Sequence, residues 1–324
     1  MRTFVTGVAG FVGRHLVRAL TVEGPLDLHG ADHGALDAIL EPEELQAVLR
    51  SYRALDVTDG DAVAAAVKEL RPDRIVHLAA QASGALSLEQ PAATYRVNAM
   101  GALHLLEAVR AAGIEATVLL VGSADVYGSG SPGTKIAEQA PLDPRNPYAL
   151  SKAAQDMLGE LYASTYGLRV IRTRTFSHTG PGQSPRFAVA GFAHQLARIA
   201  EGHMPAEVRV GNVDLVREYG DARDVVRAYM ALLDRGEPGE AYNVCTGHGY
   251  RLGELLERLI RVSGVRATVA SDPARMRARD ADHLVGDPEK LARRTGWSPA
   301  IPIDRTLLDL YRDARERVRR EAGH

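Results

Sequence analysis

Cysteine is nearly missing from this sequence: Cys245 is the one thiol among 324 residues. An internal disulfide is therefore excluded, and the composition fits a reducing compartment. Cys245 itself reads as a buried, inert thiol. Net charge is almost missing too, at -2, so nothing implies a general attraction to nucleic acid or to an anionic membrane. No apolar run approaches the ~20 residues that a membrane-spanning helix needs. The chain starts at once with the strand-like "RTFVTG" and shows no signal peptide. A soluble, cytoplasmic protein is expected, without nucleic-acid or membrane partners. Repeats and low-complexity linkers are absent as well. What is present is apolar material, 45% of residues, enough for one large domain or two smaller ones.

The first half alternates short β-rich runs with segments of helical period. "RTFVTG", "LDLHGAD", "YRALDV", "RIVHLAA", "ATVLLVGS" and "LRVIRTRTF" read as strands. "GRHLVRAL", "GDAVAAAVKEL", "TYRVNAMGALHLLEAVRAAG" and "YALSKAAQDMLGELYASTYG" read as helices between them. That order predicts βαβ units on a doubly wound parallel sheet, an α/β Rossmann fold. "RIVHLAA" and "TVLLVG" lack polar alternation, as strands covered on both faces should. From Ser177 the pattern loosens around "HTGPGQSPR". The expected division is a nucleotide-binding domain over 1–176 and a smaller α/β lobe over 177–324, with segments at about 214–247 returning to the first domain. "GEAYNVCTG" is a candidate returning strand.

"TGVAGFVG" places Gly7, Gly10 and Gly13, with Phe11 and Val12, between the first strand and first helix. Glycines there permit a tight turn and close backbone approach to a pyrophosphate, and the helix N-terminus offers amide hydrogens to it. The spacing is GxxGxxG rather than GxGxxG, and a plain Gly-rich turn competes with it. Context strengthens the nucleotide reading. Asp32 ends the second strand, where a carboxylate accepts ribose hydroxyls and repels a 2′-phosphate. NAD(H) is therefore favoured, with NADP(H) the alternative. Asp56 and Val57 are placed to reach an adenine. Leu78, Ala79 and Ala80 end the fourth strand with little bulk, leaving room for a cofactor. His29, Asp32 and His33 lack metal-ligand spacing, so no metal is expected.

"NPYALSK" carries the sharpest chemistry. Asn146 can cap a helix that Pro147 begins. Tyr148 and Lys152 then share one helical face. An ammonium beside a phenol lowers its pKa, which would make Tyr148 a usable acid or base. Lys152 can also hold the nicotinamide ribose. Ser123, at a strand end in "VGSADVYG", is placed to hydrogen-bond a substrate oxygen.

These stretches, with "RTFSHTGPGQSPRF" and "VGNVDLVREYGDARDVV", resemble the extended short-chain dehydrogenase/reductases, the NAD-dependent epimerase/dehydratase family. The resemblance spans nearly the whole chain. It is greatest with the branch acting on GDP-6-deoxy-hexoses, its 4-keto reductases before its 4,6-dehydratases. It implies a catalytic triad of Ser123, Tyr148 and Lys152, and cofactor contacts from Thr175, Phe176 and His178. It implies substrate contacts from Gln81, Asp125, Ser177, Arg217, Arg277 and Asp280, with Arg217 and Arg277 on the diphosphate and Asp280 on a ribose. A guanidinium fork suits that phosphate geometry. Departures stand beside these matches: "FSH" where the family usually has "FNH", "RARD" for "RP(S/T)E", and His194 where the reductases tend to have Lys. A homodimer is also implied. "LHLLEAVRAA" and "AAQDMLGELYAS" could pair between subunits, or equally lie against the sheet.

Dehydratases of this family carry Thr-Asp-Glu or Thr-Ser-Glu where this chain has Ser123-Ala124-Asp125. Ala124 has no proton to give, and Asp125 is a methylene shorter than Glu. Misplacement by ~1 Å can cost ~100-fold in rate. The expected activity is NAD(P)H-dependent reduction of the C4 keto group of a GDP-4-keto-6-deoxy-hexose, to GDP-D-rhamnose or its C4 epimer. Alternatives are a redox-neutral 4-epimerase or 4,6-dehydratase with tightly held NAD, and a non-catalytic NAD(P)-binding regulator.

Overall fold

The structure, a computed structural model, describes residues 1–22, 27–36, 42–276 and 283–323. Its first half alternates β1 (Arg2–Thr6), α1 (Phe11–Val22), β2 (Asp27–Asp32), α2 (Pro42–Gln46), β3 (Ser51–Ala54), α3 (Gly60–Leu70) and β4 (Arg74–His77). Then come α4 (Gly84–Glu89), α5 (Pro91–Tyr95), a π-helical turn over Arg96–Met100, α6 (Gly101–Ala112), β5 (Thr117–Val121), α7 (Pro147–Tyr166) and β6 (Val170–Thr175). The predicted helix "TYRVNAMGALHLLEAVRAAG" is thus interrupted. A π-turn inserts one residue per turn and re-aims the side chains it carries.

These six strands pair in parallel in the order 3-2-1-4-5-6. Their apolar runs are buried on both faces, with Phe4, Val5, Ile75, Val76, Val118 and Leu119 fully inaccessible. The order reverses between β1 and β4. The crevice above their carboxyl ends is where this topology takes ligands.

The second half contributes β7 (His178–Thr179), α8 (Ala188–Ala200), β8 (Glu207–Val210), β9 (Val216–Glu218), β10 (Gly220–Asp221), α9 (Ala222–Arg235) and β11 (Ala241–Val244). β12 (Gly249–Arg251), α10 (Leu252–Ser263), β13 (Thr268–Ser271), β14 (His283–Leu284), α11 (Glu289–Thr295) and α12 (Ile303–Glu321) follow. β11, within "GEAYNVCTG", joins β6 in parallel and becomes the seventh strand of the main sheet. α9 goes with it, burying Val225, Val226, Tyr229 and Leu232 in the same core as Val5, Leu16 and Leu119.

A separate apolar core joins α8, α10 and α12 over β8, through Phe192, Leu196, Leu255, Leu259, Leu307 and Leu310. β9 is the middle of a small sheet, antiparallel to β12 and parallel to β14. The two cores meet along the carboxyl edge of the main sheet, where β10 pairs with β7.

Candidate active site

Backbone conformation dictates the glycines of the β1–α1 turn. Gly7 has φ +74, and a Cβ there would lie 2.6 Å from the Ala79 nitrogen. Only glycine permits both. A Cβ at Gly13 would lie 2.4 Å from the Val8 carbonyl. The turn therefore presses against the Leu78–Ala80 end of β4, and Leu78 donates its amide to the Thr6 carbonyl at 3.0 Å. Asp32 stands beside the turn and accepts the Ala9 amide at 3.0 Å. Asp56 follows β3, accepting the Thr58 amide at 2.8 Å, and Val57 is buried beside it. A close-packed glycine cradle, free amides at the start of α1 and a carboxylate at the end of β2 fit a dinucleotide.

α7 forms as its sequence directs. Asn146 Oδ1 accepts the Ala149 amide at 2.8 Å, Pro147 occupies the first turn, and Gly167 (φ 68) ends the helix. Tyr148 and Lys152 lie on the face that meets Ser123, which caps the short turn Ala124–Tyr127 after β5. Burial, and after it the Asp125 carboxylate, push the Tyr148 phenol above its ordinary value, while a hydrogen bond with Ser123 pulls it down. Lys152 does not lower it, which corrects the sequence expectation. Its Nζ donates to the Val121 carbonyl at 2.9 Å and to Gln155 Oε1 at 2.8 Å. Burial brings that ammonium down to about 7. A phenol that keeps its proton at neutral pH is set to donate it to a developing alkoxide. His77 lies beneath, Nδ1 2.8 Å from Thr6 Oγ1. Burial, then the Lys152 charge, hold it at about 3 and so neutral.

The remaining predicted residues divide. Asp125 lies near enough for its charge to raise the Tyr148 phenol. Gln81, expected on the substrate, is instead occupied: Nε2 donates to the Ser83 carbonyl at 3.0 Å and to Thr94 at 2.8 Å, and Oε1 accepts the Ser83 amide. Its side chain holds its own turn. Thr175 bonds Tyr229 at 2.8 Å. The Phe176 ring is buried with Tyr127, Cys245 and Leu284, so only its backbone is available to a ligand. His178 stacks on Phe11 with ring centroids 6.0 Å apart, against the start of α1. Ser177 gives its carbonyl to Gly220 at 3.0 Å. Arg217, half-buried on β9, donates to the Val216 carbonyl at 3.2 Å. Arg277 and Asp280 lie outside the described residues. His194 lies on α8 near Glu321 and Arg198.

Three residues went unread in the sequence. Gln155 shares the Val121 carbonyl with Lys152. Asn98, in the π-turn, ties the Gln81 backbone to Ser151 of α7 at 2.8–3.0 Å; an asparagine inside "RVNAMGALHLL" was its only signal. Glu218 is buried next to Arg217.

A family model described as GDP-mannose 4,6 dehydratase matches residues 4–310. GDP-6-deoxy-D-mannose reductase of Pseudomonas aeruginosa is 37% identical over 321 residues, 99% of each chain. GDP-mannose 4,6-dehydratase of Vibrio cholerae is 27% identical over 99% of this chain and 95% of its own. Among solved structures, RMD from Pseudomonas aeruginosa complexed with NADPH superposes with a TM-score of 0.84 at 34% identity, covering 98% and 99% of the two chains. The UDP-glucose 4-epimerase of Thermus thermophilus in complex with NAD gives 0.87 at 32%, covering 97% and 99%. A parallel sheet with its glycine cradle, a Tyr–Lys helix facing Ser123 and a match over nearly every residue agree: this chain belongs to the GDP-mannose 4,6-dehydratase family of the extended short-chain dehydrogenase/reductases.

Proposed function

We propose that this enzyme reduces the C4 keto group of a GDP-4-keto-6-deoxy-hexose with NAD(P)H, giving GDP-D-rhamnose or its C4 epimer. The observation that carries this is the group at Ser123–Ala124–Asp125. Ala124 is 1% exposed and has no proton for departing water, and Tyr148 beside it holds its own proton. That arrangement serves carbonyl reduction better than elimination, in a chain most alike, of the relatives named above, to a reductase.

The bound dinucleotide supplies the hydride. Gly7, Gly10 and Gly13 make room for its pyrophosphate, with Phe11 and Val12 opening α1, and Asp32 takes its ribose. NADH is preferred on that carboxylate, with NADPH as the second candidate. Ser123 orients the substrate carbonyl oxygen. Tyr148 gives its phenolic proton to that oxygen as C4 becomes a secondary alcohol, and Lys152 lies alongside to hold ribose. Asp125 and Ser177 touch the sugar, and Arg217 takes the diphosphate. Residues 1–176, with the returning α9 and β11, carry the cofactor, and the rest of 177–324, including Arg217 on β9, receives the sugar nucleotide.

Among the described residues, no helix is long and apolar enough to cross a membrane; a cytoplasmic, homodimeric enzyme completes the proposal. Leu150, Met157 and Leu161 stand exposed along α7, near Tyr95 and Met100. Covering them takes a second copy, which light scattering would register as twice the mass.

The test mixes purified enzyme, GDP-4-keto-6-deoxy-mannose and NADPH, then NADH, and follows reduced-nicotinamide absorbance. Oxidation matched one-for-one by 6-deoxy-hexose product is expected. Product without added reductant, from enzyme that purifies with NAD, would transfer the assignment to the redox-neutral epimerase or dehydratase.

A further inference from the structure

Glu218 is a buried carboxylate that the proposed chemistry does not use. It lies on β9 and is 1% exposed, and among the described residues no arginine or lysine is hydrogen-bonded to it. Its partners are backbone amides from two distant segments. Oε1 accepts the amides of Thr246 and of Gly247, the latter at 3.1 Å, just after β11. Oε2 accepts the Gly286 amide at 2.9 Å, just after β14. Glycine is required at both approaches. Gly247 has φ +77, and a Cβ at Gly286 would lie 2.6 Å from the Phe176 ring and 2.8 Å from Cys245 Sγ. One side chain therefore fastens β9 to the end of the main sheet and to the segment beyond β14, beside Ser177.

Successive side chains of a strand point to opposite faces. While Glu218 is anchored inward, Arg217 is aimed the other way, with no carboxylate bonded to it among the described residues. β9 has only three residues, so it offers little else to fix the direction of that guanidinium.

We propose that Glu218 is a positioning residue for the diphosphate of the substrate: by clamping β9 to the amides of Thr246, Gly247 and Gly286 it sets where Arg217 presents its guanidinium. This rests on the reading of Arg217 as the diphosphate arginine. Both carboxylate oxygens act as acceptors here; burial pushes the Glu218 carboxyl up to about 7, so the charged form that holds these amides most strongly is fully present only above that pH. An amide side chain at 218 would turn an N–H toward one of those donors. Loss of the clamp acts on ground-state binding of the nucleotide, whereas the proton at Tyr148 is untouched.

The experiment measures GDP binding to the full-length protein by calorimetry, with kcat and KM beside it. Glu218→Gln is expected to weaken GDP by roughly tenfold, the scale of lost charge-assisted hydrogen bonds. KM should rise in step, with kcat and cofactor affinity near wild type. In an Arg217→Ala background the same change should add almost nothing, because both act through one guanidinium. Wild-type GDP affinity in Glu218→Gln, or a loss that adds in full to Arg217→Ala, would overturn the assignment while leaving the proposed activity standing. If Glu218→Gln does not fold, Glu218→Asp carries the test, with a smaller loss expected and none counting against the clamp. A wild-type protein that does not bind GDP at all would bring down the GDP-sugar reading itself, and the clamp with it.

Discussion

At the reacting end, Tyr148 and Lys152 stand on a 20-residue helix bolted to the sheet by buried charge. Asp156 of α7 accepts from Arg172 at 3.0 Å and from Arg174 at 2.9 Å, both on β6. Arg174 goes on to Tyr127 at 3.0 Å, and Tyr127 to Asn243 of β11 at 2.8 Å. At the proposed diphosphate end, Arg217 stands on a short strand held by one carboxylate and backbone amides. Proton transfer fails when a donor is misplaced by ~1 Å, and an ion network on long elements resists such displacement. Holding a diphosphate tolerates more, because a guanidinium attracts phosphate over a range of positions. The two ends are built to the accuracy that each task demands.

The comparison breaks most plainly at Tyr148. Tyr148→Phe should lower kcat by roughly 10²–10⁴-fold, the usual worth of a positioned general acid, with cofactor affinity unchanged; undiminished turnover would remove Tyr148 from the chemistry. Asp156→Ala leaves Arg174 buried without a carboxylate and Arg172 with only the exposed Glu160, and should cost about 3–5 kcal/mol in urea unfolding. A loss below about 1 kcal/mol would mean that apolar packing, not charge, fastens α7.

Lys152 sharpens the contrast through pH. Burial lowers its pKa from 10.5 to about 7 in the fold. Between those values the unfolded chain holds the extra proton, so this residue makes stability rise as pH increases from 7 toward 10. Lys152→Met should flatten that rise in melting curves taken at pH 7 and pH 9; an unchanged slope would show that the ammonium is not desolvated. The smallest effect lies far from both ends. Arg71 ends α3 in the left-handed region with φ 42. Arg71→Gly should stabilise by a few tenths of a kcal/mol, and a destabilised variant would show that the Arg71 side chain supplies more than its backbone strain costs.

Much of this was legible in the sequence, and for physical reasons. Gly7 and Gly13 had to be glycine, so the turn announces itself. Tyr148 and Lys152 are four apart on a capped helix, a spacing that fixes a shared face. The central strands β1, β4 and β5 are largely apolar because they are covered on both faces. What stayed hidden obeys other rules. β9, β12 and β14 have two or three residues each, too few to show a period. Gln81 turned inward because Ser83 and Thr94 offered it partners, a choice that depends on the turn geometry. The ammonium of Lys152 was diverted by the Val121 carbonyl, and backbone acceptors leave no trace in side-chain spacing. Glu218 was invisible for the same reason, since its partners are all amides.

The late arrival of β11 has a consequence for synthesis. It begins more than sixty residues after β6 ends. On the ribosome, β6 is therefore the outermost strand of an unfinished sheet for seconds. Open strand edges recruit other chains, and charged side chains that point inward are one defence against it. Arg172 and Arg174 are inward-pointing charges of that kind on β6, so the pair that holds α7 also makes the open edge a poor partner for other strands.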